Sequence, residues 1–527
     1  MWSIPWRSAS SAAKKESVTS LADEMFQTAM DHEPLFASLV GVPGWDDRLE
    51  DLSIDGEQAI RRRLSDILSR AETSDEDPVT LAVIRHQAEA ITNRIDARLV
   101  EHTVAEGLAA PVNNLLMTAP QVDMSQRVAL VPRFLGQVAG RVRDSDRRPL
   151  RRHVQSTAAR LESFLKSPSQ EWEGESSSDI RAAIAAYRET LLNLDGVRDD
   201  DTAGLCWLPD GEQNYLKLVR DYTTTSYTPD ELHRLGLDLI AKLREEYAEI
   251  GSRLWGTSDV PQIFHRLRTE LLWDNEDEMV ASAVEAIARA EEEAPKWFGR
   301  MPKVGCEVKL VDVAERGTAP IAYYMQAPLD GSRPGVYWLN PLGATERSRT
   351  QSETTAFHEA VPGHHHQTTL AAETELPNIR KYASIEAYLE GWGLYAERLA
   401  DEMGLYSSDE QRFGMLSADA MRAARLVVDT GLHAFGWSRQ KAVDYLRENT
   451  VMPEPEIQAE IDRYIELPGQ ALAYMVGRIE IQRLRAEAES RMGDRFDVKE
   501  FHDLVVGSGP VPLSTLGDLV TAWSGRA

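Results

Sequence analysis

Four of the 12 histidines in this chain crowd into one short stretch: His358, His364, His365 and His366. Glu359 follows the first of them directly. A His-Glu pair followed by another histidine is how zinc peptidases set two imidazoles and one base around a metal. The imidazoles ligate. The carboxylate lies beside the metal, where it takes a proton from the attacking water. In the usual HExxH arrangement the second histidine comes one helical turn later, but here Pro362 holds that place. On an ideal helix His364 would lie about 9 Å beyond His358 and roughly 120° off its face. No straight helix brings both rings to one zinc at about 2.0–2.1 Å. Pro362 removes a helical hydrogen bond and Gly363 permits unusual dihedrals, so the spacing predicts a break between the two. Dropping two residues from Ala360-Val361-Pro362 restores HExGH. His364 is therefore the expected second ligand, with His365 as the alternative and His366 the weakest candidate. The bland alternative is a surface histidine cluster beside a helix kink.

A second helix expected from Ser384 carries Glu386, Glu390 and Glu397 at i, i+4 and i+11, on one face. A solvated acidic stripe would look similar, but Tyr388, Trp392 and Tyr395 argue for burial, and buried carboxylates need a metal or partners. One of the three can complete a His/His/Glu set, and the others can accept from the ligand imidazoles. Two histidines and a carboxylate also suit iron, but the Glu-x-x-His pairs of helical di-iron proteins are missing. Glu359, moreover, has a task in zinc hydrolysis and none in iron oxygenation. Hydrolysis needs a donor for the developing oxyanion. Tyr464, Gln470 and Tyr474 are candidates, with Tyr474 favoured and core packing the plainer role for any one tyrosine. Arg425, Asp429 and His433 share a helical face, either to hold a substrate carboxylate or brace the site, or as an intrahelical ion pair with a satisfied histidine. Arg425, Arg463 and Arg478 are carboxylate anchors by type.

The elements that must position these residues are mostly helices. Asp51–Ala71, Val79–Thr103, Arg147–Leu165 and Ser178–Leu194 show apolar residues at three- and four-residue spacing. Glu171–Ser177 reads as a solvated loop. Thr228-Pro229-Asp230-Glu231 predicts a capped helix start, with the helix running to about Gly251. Val308–Val311 and Gly335–Leu339 read as strands of a small sheet within 304–340, and helices resume near Arg347. The expected division is a helical lobe over 1–225 and a catalytic lobe over 226–527, joined as one continuous unit. With 527 residues the chain is long enough for a large core and a deep cleft.

The formal charge is −27, from 58 Lys and Arg against 85 Asp and Glu, which disfavours nucleic acid and anionic membrane surfaces. Two cysteines in no CxxC motif, the lack of an apolar leader in residues 1–15 and the lack of a long apolar run favour a cytoplasmic setting without membrane spans. A homo-oligomer is compatible with all of this.

The strings HEAVPGHHHQ, EGWGLYAE and RYIELPGQALAY resemble the bacterial family called domain of unknown function 885. GVPGWDDRLEDLS, GLCWLPDGEQNYLKLVRDYTTT and DGSRPGVYWLNP extend the resemblance over roughly residues 20 to 520. That family is similar to Taq-type zinc carboxypeptidases and, more distantly, to the thimet and angiotensin-converting oligopeptidases. The resemblance implies a mainly α, helical clamshell-like gluzincin (zincin-like) fold with a deep cleft and a small sheet. It implies Glu390 as the third zinc ligand, since Glu390 and Glu397 match the Taq-type spacing, with Glu397 behind a ligand. It implies Gly335–Asn340 as an edge strand above the site, able to pair with an extended peptide. The departures are the longer His-Glu to Gly-His spacing and His366. The expected activity is zinc-dependent hydrolysis of a peptide, carboxypeptidase-like, with Glu359 as base. The rivals are a zinc amidohydrolase on a non-peptide amide and a non-catalytic binding protein on the same scaffold.

Overall fold

The computed structural model describes residues 20–105, 125–166, 177–313, 316, 320–327 and 333–526. Residues 1–15, and the loop expected at Glu171–Ser177 save for its last residue, lie outside that set; Ser177 opens the helix Ser177–Leu192. Helix makes up 69% of the structure. Two of the expected helices begin at side-chain caps. Helix α1 (Pro78–Asp96) starts at Asp77, whose carboxylate accepts from the Thr80 amide. It stops well short of Thr103, because Arg98 turns left-handed at φ 52°. Helix α2 spans Arg151–Lys166. Helix α3 (Pro229–Trp255) opens with the expected capping box between Thr228 and Glu231 and closes on Gly256 at φ 69°.

Three short strands interrupt the helices: β1 (Cys306–Leu310), β2 (Ala322–Met325) and β3 (Gly335–Leu339). Their order is β1-β3-β2, with β1 and β3 parallel and β2 antiparallel to β3. This corrects the edge-strand expectation for Gly335–Asn340: β3 is the central strand. The physical reason is its apolar run Gly-Val-Tyr-Trp-Leu, nearly all buried, which suits a strand covered on both sides. The edge nearest the histidines belongs to β2, an element not expected from the sequence.

The histidines and carboxylates sit on helices packed behind the sheet: α4 (Gln351–Glu359), α5 (His364–Glu373), α6 (Glu386–Glu402), α7 (Arg412–His433), α8 (Glu454–Glu466) and α9 (Ala473–Met492). One large core runs from Leu21 to Val520, so residues on both sides of position 225 bury against each other. A smaller core joins Val131–Asp144, α2 and Ser177–Leu192. Among the described residues no helix is long and apolar enough to cross a membrane. Cys206 and Cys306 are both free.

Candidate metal centre

The break expected between His358 and His364 is a short loop. Helix α4 ends at Glu359, Ala360 leaves helical geometry at φ −104°, ψ −106°, and the Val361–Pro362 peptide is cis. The chain then folds back so tightly that any Cβ at Gly363 would overlap the carbonyl of His358. Helix α5 starts on His364 itself. Two ligand-type residues that a straight helix would hold apart thus belong to two helices. Their rings meet edge to face with centroids 4.7 Å apart.

Glu390 on α6 closes the group. One carboxylate oxygen lies 3.5 Å from His358 Nε2 and 3.5 Å from His364 Nε2. All three donor atoms lie within 4.8 Å of one another. Ligands at about 2.0–2.1 Å around a tetrahedral zinc sit roughly 3.3–3.4 Å apart. The two Glu390 separations match that spacing, and a donor set of two imidazoles and a carboxylate suits zinc, in a site buried at His358 and half-buried at the other two.

Behind the group, Glu397 is buried and takes the Nδ1 side of His358 at 2.8 Å. That contact leaves Nε2 facing Glu390. Burial works against a proton on His358, but the carboxylates of Glu390 and Glu397 outweigh it and push the imidazole up to about 10. Burial likewise opposes the Glu390 charge, yet its hydrogen bonds with the two imidazoles hold it well below the ordinary carboxylate range. Burial, then the Glu390 charge, raises Glu386.

The Gly-Trp-Gly run explains how α6 gets so close. A Cβ at Gly393 would stand 2.5 Å from the His358 ring. Trp392 Nε1 donates to the Pro362 carbonyl at 2.9 Å and ties the loop to α6. At Gly391 a Cβ would overlap Gly477, so α6 and α9 cross backbone to backbone.

Glu359 points to one side, into a cavity of about 460 Å³ that it lines with Thr355, Met421, Arg422, Met452 and Glu456. A second cavity of about 410 Å³ is lined by His364, Glu386, Glu390, Tyr323, Tyr324 and Leu389. Pro320 borders both; Ala322 of β2 faces the first, and Tyr323 to Met325 face the second. The two cavities thus flank the ligand group beneath one strand edge.

The remaining sequence candidates separate. His365 turns to the sheet, with Nδ1 3.0 Å from the Tyr324 hydroxyl, and burial pushes it down to about 4. Gly335 makes room for that pair, since a Cβ there would stand 2.9 Å from His365 Nδ1. His366 is buried against Phe298, ring centroids 4.2 Å apart, and burial pushes it down to about 3. Tyr474 is half-buried beneath the Arg425 guanidinium, 4.5 Å from its ring centroid. Burial first, then the charge of Glu390, pushes its hydroxyl up to about 12. Gln470 Nε2 lies 3.4 Å from both Glu386 and the Tyr474 hydroxyl. Tyr464 is fully buried, and its hydroxyl donates to Glu460 and accepts from Arg425.

Arg425, Asp429 and His433 form no intrahelical ion pair. Arg425 binds Glu460 at 2.8 Å, and Asp429 accepts from the Tyr215 hydroxyl at 2.6 Å and the Gly469 amide at 3.2 Å. His433 accepts from the Leu205 amide and donates to the Tyr464 carbonyl. The last two brace α7 against distant segments. Arg463 is held by Glu460 and Gln470, and Arg478 by both oxygens of Asp419.

Residues 34–520 match the family described as bacterial protein of unknown function (DUF885), and the chain belongs to that family. No curated protein matches. Among solved structures, the chain is similar to the putative lipoprotein from Colwellia psychrerythraea, at 24% identity and TM-score 0.84, covering 96% of this chain and 99% of that one. It is also similar to a putative lipoprotein of unknown function from Shewanella oneidensis, at 17% identity and TM-score 0.73, covering 95% of this chain and 100% of that one. These likenesses show a shared fold.

Proposed function

We propose that this member of the DUF885 family is a zinc metallopeptidase, gluzincin-like in fold and carboxypeptidase-like in action. The observation that carries the reading is one Glu390 oxygen 3.5 Å from the Nε2 atoms of both His358 and His364, with Glu397 clamped behind His358 and the Glu359 charge acting on His358. His358, His364 and Glu390 hold the metal. Zinc in such a set supplies Lewis acidity to a carbonyl and to the attacking water. Glu359 accepts a proton from that water and returns it to the leaving amine. Tyr474 keeps its proton at neutral pH, because its hydroxyl is pushed up to about 12, and donates it as a hydrogen bond to the developing oxyanion. The outer edge of β2 offers backbone groups to an extended substrate. The two free cysteines support a cytoplasmic setting, which cell fractionation tests, and the −27 charge disfavours nucleic acid and anionic membrane as partners.

The test has two arms. Elemental analysis should find one zinc per chain, lost in His358→Ala, His364→Ala and Glu390→Ala and kept in His365→Ala. A mixed peptide library read by mass spectrometry should show cleavage that Glu359→Gln abolishes by several orders of magnitude while retaining zinc. A Gln variant within about tenfold of wild type removes Glu359 from the role of base. Zinc retained by Glu390→Ala moves the third ligand elsewhere.

A further inference from the structure

We propose that Arg422 anchors a free substrate carboxylate in the cavity beside Glu359, so that the substrates are peptides with an unmodified C-terminus. This rests on the hydrolase reading above and names its substrate class. In a chain with 85 acidic and 58 basic residues, an arginine readily finds a carboxylate. Around the site they have done so: Arg425 and Arg463 share Glu460, while Arg398 and Arg478 share Asp419. Arg347 at least donates to the Asn340 carbonyl, whereas Arg422, among these cavity neighbours, has no acid. It is half-buried on α7 and lines the 460 Å³ cavity together with Glu359. Its Nε is closed off from solvent and has no hydrogen-bond partner. No hydrogen bond or ion pair joins its guanidinium to any described residue. The acid nearest to it along the helix, Asp419, is already taken by Arg398 and Arg478.

A guanidinium with no acceptor from the protein keeps its donors for whatever enters the cavity it lines. A guanidinium is a planar fork that matches a carboxylate with two parallel hydrogen bonds. The other charges in the cavity leave that role to it. Glu460 is neutralised by Arg425 and Arg463. Glu456 is pushed up to about 6 by burial, with the charge of Arg347 opposing the rise. Glu359 is reserved for proton transfer. The remaining walls include Ile321, Met421, Val451 and Met452, which suit an apolar terminal side chain. A cavity of this size, within the usual range for ligand sites, admits a chain end and not a folded surface. The residues before the scissile bond then fall toward the cavity of His364 and Glu390.

The experiment is calorimetric binding to the zinc-loaded Glu359→Gln protein, which does not depend on turnover. The probes are one N-acetylated tetrapeptide ending in leucine, as free acid and as C-terminal amide. The acid should bind at least about tenfold tighter, as expected for one or two charge-assisted hydrogen bonds. Adding Arg422→Gln should bring the ratio to about one, and Arg422→Lys should recover part of it. Because the side chain has no partners to lose, the melting temperature of Arg422→Gln should match its parent, which excludes misfolding. Equal binding of acid and amide, no binding of either, or a ratio that survives Arg422→Gln overturns the proposal. If the ratio collapses as expected but the wild-type protein cuts no peptide, the carboxylate site stands and the hydrolase reading falls. If peptides are cut but acid and amide bind alike, the reverse holds.

Discussion

Replacing Gly393 by alanine tests the centre without touching a single polar group. The new methyl carbon would lie 2.5 Å from His358 Cε1, 2.8 Å from Nε2 and 2.9 Å from Nδ1. Ordinary contact begins at 3.4 Å, so ring or helix must give by about 0.9 Å. The ring has nowhere easy to go, because Glu397 holds Nδ1 at 2.8 Å. Helix α6 is pinned as well, by Gly477 pressing on Gly391 and by Trp392 bonded to Pro362. Overpacking of this kind costs about 1–3 kcal/mol. For a chain this long that is roughly 1–3 °C in Tm, if unfolding is cooperative. Metal geometry is less tolerant, since ligand distances hold to about ±0.2 Å. Zinc affinity should therefore fall by at least about tenfold to a hundredfold, as when a ligand's outer support is lost. Competition against a chromogenic chelator measures the affinity, and scanning calorimetry of the metal-free protein measures the packing term. Gly404→Ala is the control: that glycine has φ 73° and open space around it, so its replacement should cost stability and leave zinc binding alone. Zinc affinity within about threefold of wild type in Gly393→Ala, with an unchanged Tm, would refute the reasoning.

Glu397→Ala leaves His358 Nδ1 facing a buried void, and zinc affinity should drop about 10- to 100-fold, with Glu397→Gln recovering part; equal affinity in all three proteins removes Glu397 from the centre. His153 on α2 is buried between Asp462 and Glu466 of α8; burial lowers it, but the two carboxylates push it up to about 9. Its folded pKa lies above the unfolded value near 6.5, so its contribution is full below about pH 6.5 and is lost as pH rises through about 9. Unfolding free energies from denaturant titrations at pH 6 and pH 9.5 should differ by up to about 3 kcal/mol more in wild type than in His153→Gln. The same pH dependence in both proteins would show that His153 is not the titrating group.

Some of this was legible from the chain itself because it is local. Periodicity marked the helices, Thr228 and Glu231 marked a start, and Pro362-Gly363 marked the break between His358 and His364. The face shared by Glu390 and Glu397 is a matter of helical arithmetic, and it turns toward His358 in the structure. What depends on distant segments was not legible. Asp429 and His433 answer to Tyr215, Gly469 and Leu205, far away in sequence, so a helix-face argument could only pair them with each other. The two tyrosines of β2 are strand formers, but four residues carry too little pattern to announce a strand. The edge position expected for β3 came from the family resemblance, and β2 occupies that edge instead. The glycines of α6 gave no sign of which neighbour they accommodate, because that neighbour is another helix or the His358 ring. The isolation of Arg422 is likewise visible only after its neighbours Arg398, Arg425, Arg463 and Arg478 have found their acids.

The short loop that ends one helix on Glu359 and begins another on His364 has a consequence for how long the protein survives in a cell. In an uninterrupted zinc-binding helix, one turn of local structure already presents both imidazoles. Here the second imidazole arrives only when α5 docks against α6 and Trp392 secures the loop. An opened chain loses Glu390 and the facing geometry of His358 and His364, so under the metal reading zinc binds the native state more tightly than the loose His364-His365-His366 run of an unfolded one. Binding that favours the native state, at a free concentration a thousand times its Kd, adds up to about 4 kcal/mol to stability. A shift of that size changes the fraction of time the chain lies open to proteases by orders of magnitude. Zinc-starved cells should then hold less of the protein, cleared by degradation with its synthesis unchanged.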